Sequence, residues 1–187
     1  MKKKAIVLLA EGFEEVEAIT PIDYLCRAGI EVITAAIGDS LTVKGRWGGL
    51  KVIADTTLAK LAKEGTNSWD AVILPGGMPG ATNLAASKET GALLKEMAAS
   101  GKLICAICAS PALVLSPLGL LTGKKFTCYP GMEGKVTDGE WSEDRVVIDD
   151  SIITSRGAGT AGEFAIVIIE KLIDKASAKK IAETVLL

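Results

Sequence analysis

The sequence predicts an α/β protein with a mostly parallel sheet and helices on both faces. Three observations carry that prediction. Short, almost uninterrupted apolar runs recur along the chain, as in strands buried on both faces. Segments with apolar residues at helical spacing lie between them. Gly and Pro punctuate the joints, so strand and helix alternate as in βαβ units.

Lys4 to Ala10 (KAIVLLA) is the first such strand, and Gly12 breaks it. Glu14 to Ala28 carries Val16, Ile19, Ile22, Leu25 and Cys26 at helical spacing, and Gly29 ends that helix. Glu31 to Ile37 reads as a second strand. The Gly-rich, alternating stretch Leu41 to Ala54 reads as a hairpin-like excursion, and Asp55 as the cap of a short helix from Leu58 to Lys63. Asp70 to Leu74 is a third core strand, ending in Pro75-Gly76-Gly77. A helix over Lys88 to Ser100 follows, then a fourth core strand from Leu103 to Ile107, with helix expected from Ala109 onward. Phe126 to Cys128, Arg145 to Asp149 and Ile152 to Ser155 are further strand candidates. Helices over Gly159 to Ile173 and Ser177 to Val185 close the chain. Right-handed crossovers would gather the strand-to-helix loops at the carboxyl edge of the sheet, where such sheets bind ligands. No repeat, low-complexity tract or linker interrupts residues 1–187, which predicts one domain.

Composition narrows the function. With 21 Lys plus Arg against 23 Asp plus Glu, the chain has no general attraction for nucleic acid or for an acidic membrane. Glu11 ends the first apolar run too early for a secretory signal or a membrane span, so a cytoplasmic protein is expected. Cys26, Cys105, Cys108 and Cys128 do not form a disulfide framework pattern. There is no histidine, so no Ser-His, Cys-His or His-metal arrangement can form within the chain.

The passage from Leu103 to Ala112 runs from a β-rich segment directly into small residues and a helical pattern. An abrupt strand-to-helix bend crowds side chains, so it needs small flanks, here Ala106, Ala109 and Ser110. Pro111 suits the first helical turn, where its missing N–H is not needed. Cys108 falls where the bend projects a side chain toward the amino end of the helix. Exposed N–H groups there favour a thiolate, which is both nucleophile and oxidisable form. Two plainer readings compete: a small buried cysteine, or a Cys105-x-x-Cys108 redox or zinc pair. The pair would lack further zinc ligands, and Cys105 lies inside the strand.

Five blocks in order, from Leu8-to-Asp23 (LLAEGFEEVEAITPID) through CRAGIEV, DAVILPGGMPGATNL and AICASPALVL to ITSRGAGTAGEFA, resemble the ThiJ/PfpI superfamily. The branch is that of the parkinsonism-associated protein deglycase and its bacterial relatives. The resemblance covers nearly the whole chain. It implies a flavodoxin-like three-layer sandwich, similar to class I glutamine amidotransferases, and a homodimer. It makes Cys108 the elbow cysteine and Glu17 the carboxyl beside it, which asks for a raised pKa. On residues alone, Glu17 reads as a solvated helix acid among Glu11, Glu14 and Glu15. The resemblance also implies that Gly76 and Gly77 form the glycine loop, with Ala109 N–H as a second donor to an oxyanion. It sets Arg156 and Gly157 beside the pocket and Arg27 near a dimer interface; both arginines read equally well as surface charges. No cofactor or metal is implied.

Three positions depart from the family. Tyr129 stands where close relatives carry a histidine, and a phenol is a much weaker base at neutral pH. Ala158 replaces the usual proline of its loop. Ala109 follows the elbow cysteine where the protease branch needs histidine, which excludes that proteolytic mechanism. The expected function is therefore a glyoxalase or deglycase acting on methylglyoxal or glyoxal and their adducts, with a Cys108 hemithioacetal and proton transfer by Glu17. The alternative is a redox-sensing, chaperone-like stress protein whose function is oxidation of Cys108. A weaker alternative is a binding domain that holds a small anion.

Overall fold

The computed structural model describes residues 2–65 and 68–187. The elements are β1 (Lys4–Leu9), α1 (Glu15–Arg27), β2 (Glu31–Ala36), β3 (Thr42–Lys44), β4 (Lys51–Ile53), β5 (Thr56–Thr57), α2 (Leu58–Glu64) and β6 (Ala71–Leu74). They continue with α3 (Gly80–Ala86), α4 (Lys88–Ala99), β7 (Leu103–Ile107), β8 (Lys125–Phe126), β9 (Glu140–Trp141), β10 (Val146–Asp149), β11 (Ile152–Ser155), α5 (Ala161–Leu172) and α6 (Lys175–Thr184). The central sheet runs β10-β11-β7-β6-β1-β2-β5 and is parallel except for β10, which pairs antiparallel to β11 at one edge.

Alternation along the strands divides the core in two. Ala5, Val7 and Leu9 of β1, Ala71 and Ile73 of β6, and Cys105 and Ile107 of β7 face one side. They pack with Ala18 and Leu25 of α1, Phe164, Ile168 and Ile169 of α5, and Ile181 of α6. Ile6 and Leu8, Val72 and Leu74, and Ile104 and Ala106 face the other. They pack with Leu58 and Leu61 of α2, Leu84 of α3, and Leu94 and Met97 of α4. The three layers follow directly from this parity. The β1 run Ala5 to Leu9 is wholly buried, which explains why it shows no polar alternation.

Several sequence expectations change. Thr57, rather than Asp55, caps α2: its Oγ1 accepts from Lys60 N at 3.3 Å. Asp55 turns back to β2 instead, where Oδ2 accepts from Thr34 N at 2.8 Å and Thr34 Oγ1 at 2.6 Å. The unpaired N–H near the sheet edge captures the carboxylate. Beyond the elbow there is no continuing α-helix, only a π-helical turn over Pro111–Leu115 and a 3₁₀ turn over Ser116–Leu118. Pro117 removes a donor that a regular helix would need there. The strand expected over Phe126 to Cys128 is shortened to β8, which pairs parallel with β9 outside the central sheet. Thr127 N donates to Thr154 Oγ1 at 2.9 Å instead of joining a ladder. The helix α3 fills a stretch between Gly77 and Lys88 for which the sequence predicts no element. The hairpin-like excursion is β3 paired antiparallel with β4.

Phe164 is fully buried between α5 and the sheet. Phe164→Ala is expected to lower unfolding stability by about 3–5 kcal/mol, read from the midpoint shift in urea denaturation at unchanged slope.

Candidate active site

β7 ends at Ile107, and Cys108 bends the chain with φ +66°, a left-handed value rare for a residue with a side chain. Cys108 N donates to Ser155 O on β11 at 2.9 Å, and Cys108 O accepts from Tyr129 N at 2.8 Å. Ser110 Oγ donates to Pro75 O at 2.7 Å and ties the bend to the end of β6. The strained residue is thus fixed from three neighbouring segments. Its side chain is enclosed, leaving the residue 8 % exposed.

Glu17 comes from the first turn of α1 and is 1 % exposed. Its Oε2 accepts from Gly76 N at 2.8 Å, and its carboxyl hydrogen-bonds the Cys108 thiol. The surface-acid reading of Glu17 is overturned, whereas Glu14 and Glu15 reach outward to the β3–β4 excursion. Glu14 lies 3.6 Å from the Arg46 guanidinium, and Glu15 accepts from Trp47 N.

Gly76 is where the groups converge. A Cβ there would lie 2.6 Å from Cys108 Cβ, 2.8 Å from Glu17 Oε2 and 3.1 Å from Ala109 N. Any side chain would push acid and thiol apart. Gly77 has φ +87°, and its Cβ would strike Glu14 N at 2.4 Å. The N–H groups of Gly77 and Ala109 face the Cys108 sulfur and pull its pKa down. Within the glycine loop the roles are therefore divided: Gly76 holds the acid, and Gly77 faces the sulfur.

Burial pushes the Glu17 carboxyl up to about 7, and the charge of Glu14 adds to the rise. The bonds from Gly76 and Cys108 and the charge of Arg46 oppose it only in part. The Cys108 thiol is pushed up to about 12, first by burial and then by the charge and hydrogen bond of Glu17, against the pull of the Gly77 and Ala109 N–H groups. This corrects the expectation of a freely formed thiolate. The Gly77 and Ala109 N–H groups favour the thiolate, but a buried anion beside a carboxylate costs more than they return. The charge of Glu17 raises the thiol, and protonation of Glu17 removes that repulsion of the thiolate. Burial also pushes the thiols of Cys105 and Cys128 up. Cys26 is exposed, and all four cysteines are free. Cys105 is sealed inside β7, so the redox-pair reading has no geometry to support it.

Tyr129 and Arg156 stand beyond Gly157. A Cβ on Gly157 would lie 3.4 Å from the Tyr129 ring and 3.8 Å from Glu17 Oε1, so one glycine separates the acid from the outside. An open cleft of about 370 Å³ lies there, lined by Tyr129, Pro130, Arg145, Arg156, Gly157 and Thr160 among others. Tyr129 is 53 % exposed, with its backbone on Cys108 and its ring on the cleft. Thr160 holds the loop: its Oγ1 accepts from Gly157 N at 3.1 Å, donates to Gly157 O at 2.8 Å and lies 2.6 Å from Ser155 Oγ. Thr160 and Ser155 escape sequence reasoning because buried hydroxyls in loops carry no spacing signal. Arg27 pairs with Asp23 on the surface of α1, away from these groups. Among the described residues no three His, Cys, Asp or Glu side chains cluster to hold a metal ion, and no helix is long and apolar enough to cross a membrane.

A parallel three-layer sheet with a cysteine at a left-handed elbow and a buried glutamate against it defines an elbow-cysteine α/β protein. The chain belongs to the DJ-1/PfpI family, whose model matches residues 3–171. It is 39 % identical over 188 residues to protein dj-1beta of Drosophila melanogaster, covering 100 % of this chain and 98 % of that one. It is 38 % identical over 174 residues to glutathione-independent glyoxalase DJR-1.2 of Caenorhabditis elegans, covering 91 % and 89 %. Protein DJ-1 homolog B of Arabidopsis thaliana is 44 % identical over 97 % of this chain, which spans only 40 % of that protein's length and 45 % of homolog A's. Among solved structures, Drosophila DJ-1beta superposes with a TM-score of 0.94 at 39 % identity, covering 100 % of this chain and 99 % of that one. Oxidized DJ-1 of Toxoplasma gondii superposes with 0.93 at 42 % identity, covering 98 % of each.

The raised Glu17 pKa makes stability depend on pH. Between about 4.5 and about 7 the folded chain keeps a proton that the unfolded chain has lost, so stability falls as pH rises through that window. Urea denaturation at several pH values is expected to show a loss of about 3 kcal/mol across the window. In Glu17→Gln that component is expected to vanish.

Proposed function

We propose that the chain is a cysteine-dependent glyoxalase or deglycase acting on methylglyoxal or glyoxal and their adducts. The observation that carries the reading is the Glu17–Cys108 pair at Gly76: an acid titrating at about 7 in hydrogen-bond contact with an otherwise reluctant thiol. A general base works best when its pKa lies near the working pH. The similarity to the glutathione-independent glyoxalase DJR-1.2 of Caenorhabditis elegans agrees with that chemistry.

Cys108 Sγ attacks the aldehyde carbon as its proton passes to the Glu17 carboxylate. The new C–S bond makes a hemithioacetal, whose oxyanion takes hydrogen bonds from the N–H groups of Gly77 and Ala109. Glu17 hands the thiol's proton on to that oxyanion and, a carboxylate again, moves the aldehyde-derived hydrogen, as a proton, to the neighbouring ketone carbon, while the hydroxyl proton passes to the ketone oxygen. The first carbon is oxidised to a thioester and the second reduced to a carbinol, so no outside oxidant is needed. Water cleaves the thioester, releasing lactate and restoring the thiol. Glu17, the carboxyl beside the thiol, is the proton carrier.

A second reading is supported by the same geometry. Peroxide oxidation of Cys108 would yield a sulfinate that a protonated Glu17 can hydrogen-bond, and the solved Toxoplasma gondii relative is an oxidized DJ-1. Redox sensing in a chaperone-like stress protein would then be the function. In either reading we place the chain in the cytoplasm as a homodimer, with Val16 and Ile19 leaving an exposed apolar stripe on α1 for the partner copy.

The purified, reduced protein is expected to form lactate from methylglyoxal, with kcat/KM rising as pH passes about 7 and Glu17 ionises. Cys108→Ser should abolish turnover, and Glu17→Gln should lower it by about 100-fold or more. Absence of lactate from protein whose Cys108 still reacts quickly with peroxide would shift the function to redox sensing.

A further inference from the structure

The cleft outside Gly157 holds an unusual balance of charge. Its lining includes two arginines, Arg145 and Arg156, and no carboxylate. The two residues flank the Val146–Ser155 pair that ends the β10–β11 ladder, with Arg156 N donating to Arg145 O at 3.3 Å, so two cations lie opposite each other just beyond the antiparallel strands. Like charges opposite one another in a ladder are unfavourable unless something offsets them. Arg145 is offset: its Nε donates to Glu163 Oε2 at 2.7 Å and its Nη2 to Gly159 O at 2.7 Å. Arg156 is not. Among the described residues its guanidinium donates only to the carbonyl of Glu143, at 3.0 Å, and makes no ion pair. Most of its planar N–H fork remains available beside the open cleft.

We propose that this cleft selects an anionic group and that Arg156 is the residue that holds it. Resting on the thiol chemistry above, the preferred substrates are α-oxoaldehydes that carry a carboxylate tail. One unpaired guanidinium matches the single charge and two oxygens of a carboxylate. The aldehyde end reaches Cys108 past Gly157, while the tail stays in the cleft between Arg156 and Tyr129. With γ,δ-dioxovalerate, Cys108 adds to the aldehyde and the hydrogen moves to the adjacent carbon. Water then releases α-hydroxyglutarate, with the tail carboxylate unchanged and no outside oxidant consumed.

Two probe pairs that differ in charge test the proposal. Iodoacetate and iodoacetamide alkylate thiols without any turnover, and the exposed Cys26 reports their intrinsic ratio within the same chain. The iodoacetate-to-iodoacetamide rate ratio at Cys108, followed by peptide mass spectrometry, is expected to fall about tenfold or more in Arg156→Gln, the loss of one charge-assisted hydrogen bond. The ratio at Cys26 should hold, and Arg156→Lys should keep much of the preference because it keeps the charge. A ratio at Cys108 that is unchanged in Arg156→Gln, or that falls equally at Cys26, overturns the proposal. In turnover, the kcat/KM ratio of γ,δ-dioxovalerate to methylglyoxal should exceed one and drop in Arg156→Gln. A ratio below one that Arg156→Gln leaves unchanged overturns the substrate class. If the alkylation ratio depends on Arg156 but neither aldehyde turns over, the anion-selective cleft stands and the glyoxalase reading falls.

Discussion

The hydrogen bond from Gly76 N to Glu17 Oε2 keeps a carboxyl in a place where water cannot reach it. An isolated buried carboxylate would be driven to stay protonated, and an isolated surface carboxylate would be fully ionised at neutral pH. One backbone donor, one thiol and a distant arginine leave Glu17 between those limits, with a pKa of about 7. Everything proposed for Cys108 depends on that intermediate state, because the thiol is itself pushed up by burial and needs a partner that exchanges protons. A side chain on Gly76 would separate the two.

The sheet supplies the geometry. β6 and β7 run side by side and in parallel, so their carboxyl ends bring Pro75-Gly76-Gly77 next to Cys108. β1 lies on the other side of β6 and delivers the start of α1, hence Glu17, to the same edge. β11 lies on the other side of β7 and delivers the Arg156–Thr160 loop. Four adjacent strands thus contribute one loop each to a single site, as open parallel sheets do at their carboxyl edge. The strain of φ +66° at Cys108 persists because bonds from Ser155, Tyr129 and Pro75 fix the chain around it.

Much of this was legible in the sequence. Fully buried runs such as Ala5 to Leu9 announce themselves as continuous apolar stretches, and the small flanks of Cys108 mark the bend. The interaction of Glu17 with Cys108 was not legible from spacing, since 91 residues separate them and only the resemblance joined them. Its burial required the glycine loop to close over it, a tertiary effect. The expected Asp55 cap failed because Thr34 offered the carboxylate two donors across the chain, and a local rule cannot see a distant partner. The helix α3 is seven residues long and too short for periodicity to register. Arg156 was visible as a matched position, but its lack of an ion pair beside a cleft is a fact of packing alone.

The most direct test of the Glu17–Cys108 pair is a pH titration of the Glu17 side-chain carboxyl itself, followed by isotope-edited infrared spectroscopy of the intact, reduced protein. A midpoint near 7 that shifts when Cys108 is replaced by Ala is the predicted result. A midpoint near the ordinary carboxyl value of 4.5, unmoved by that replacement, would contradict the Glu17–Cys108 interaction on which the proposed chemistry rests.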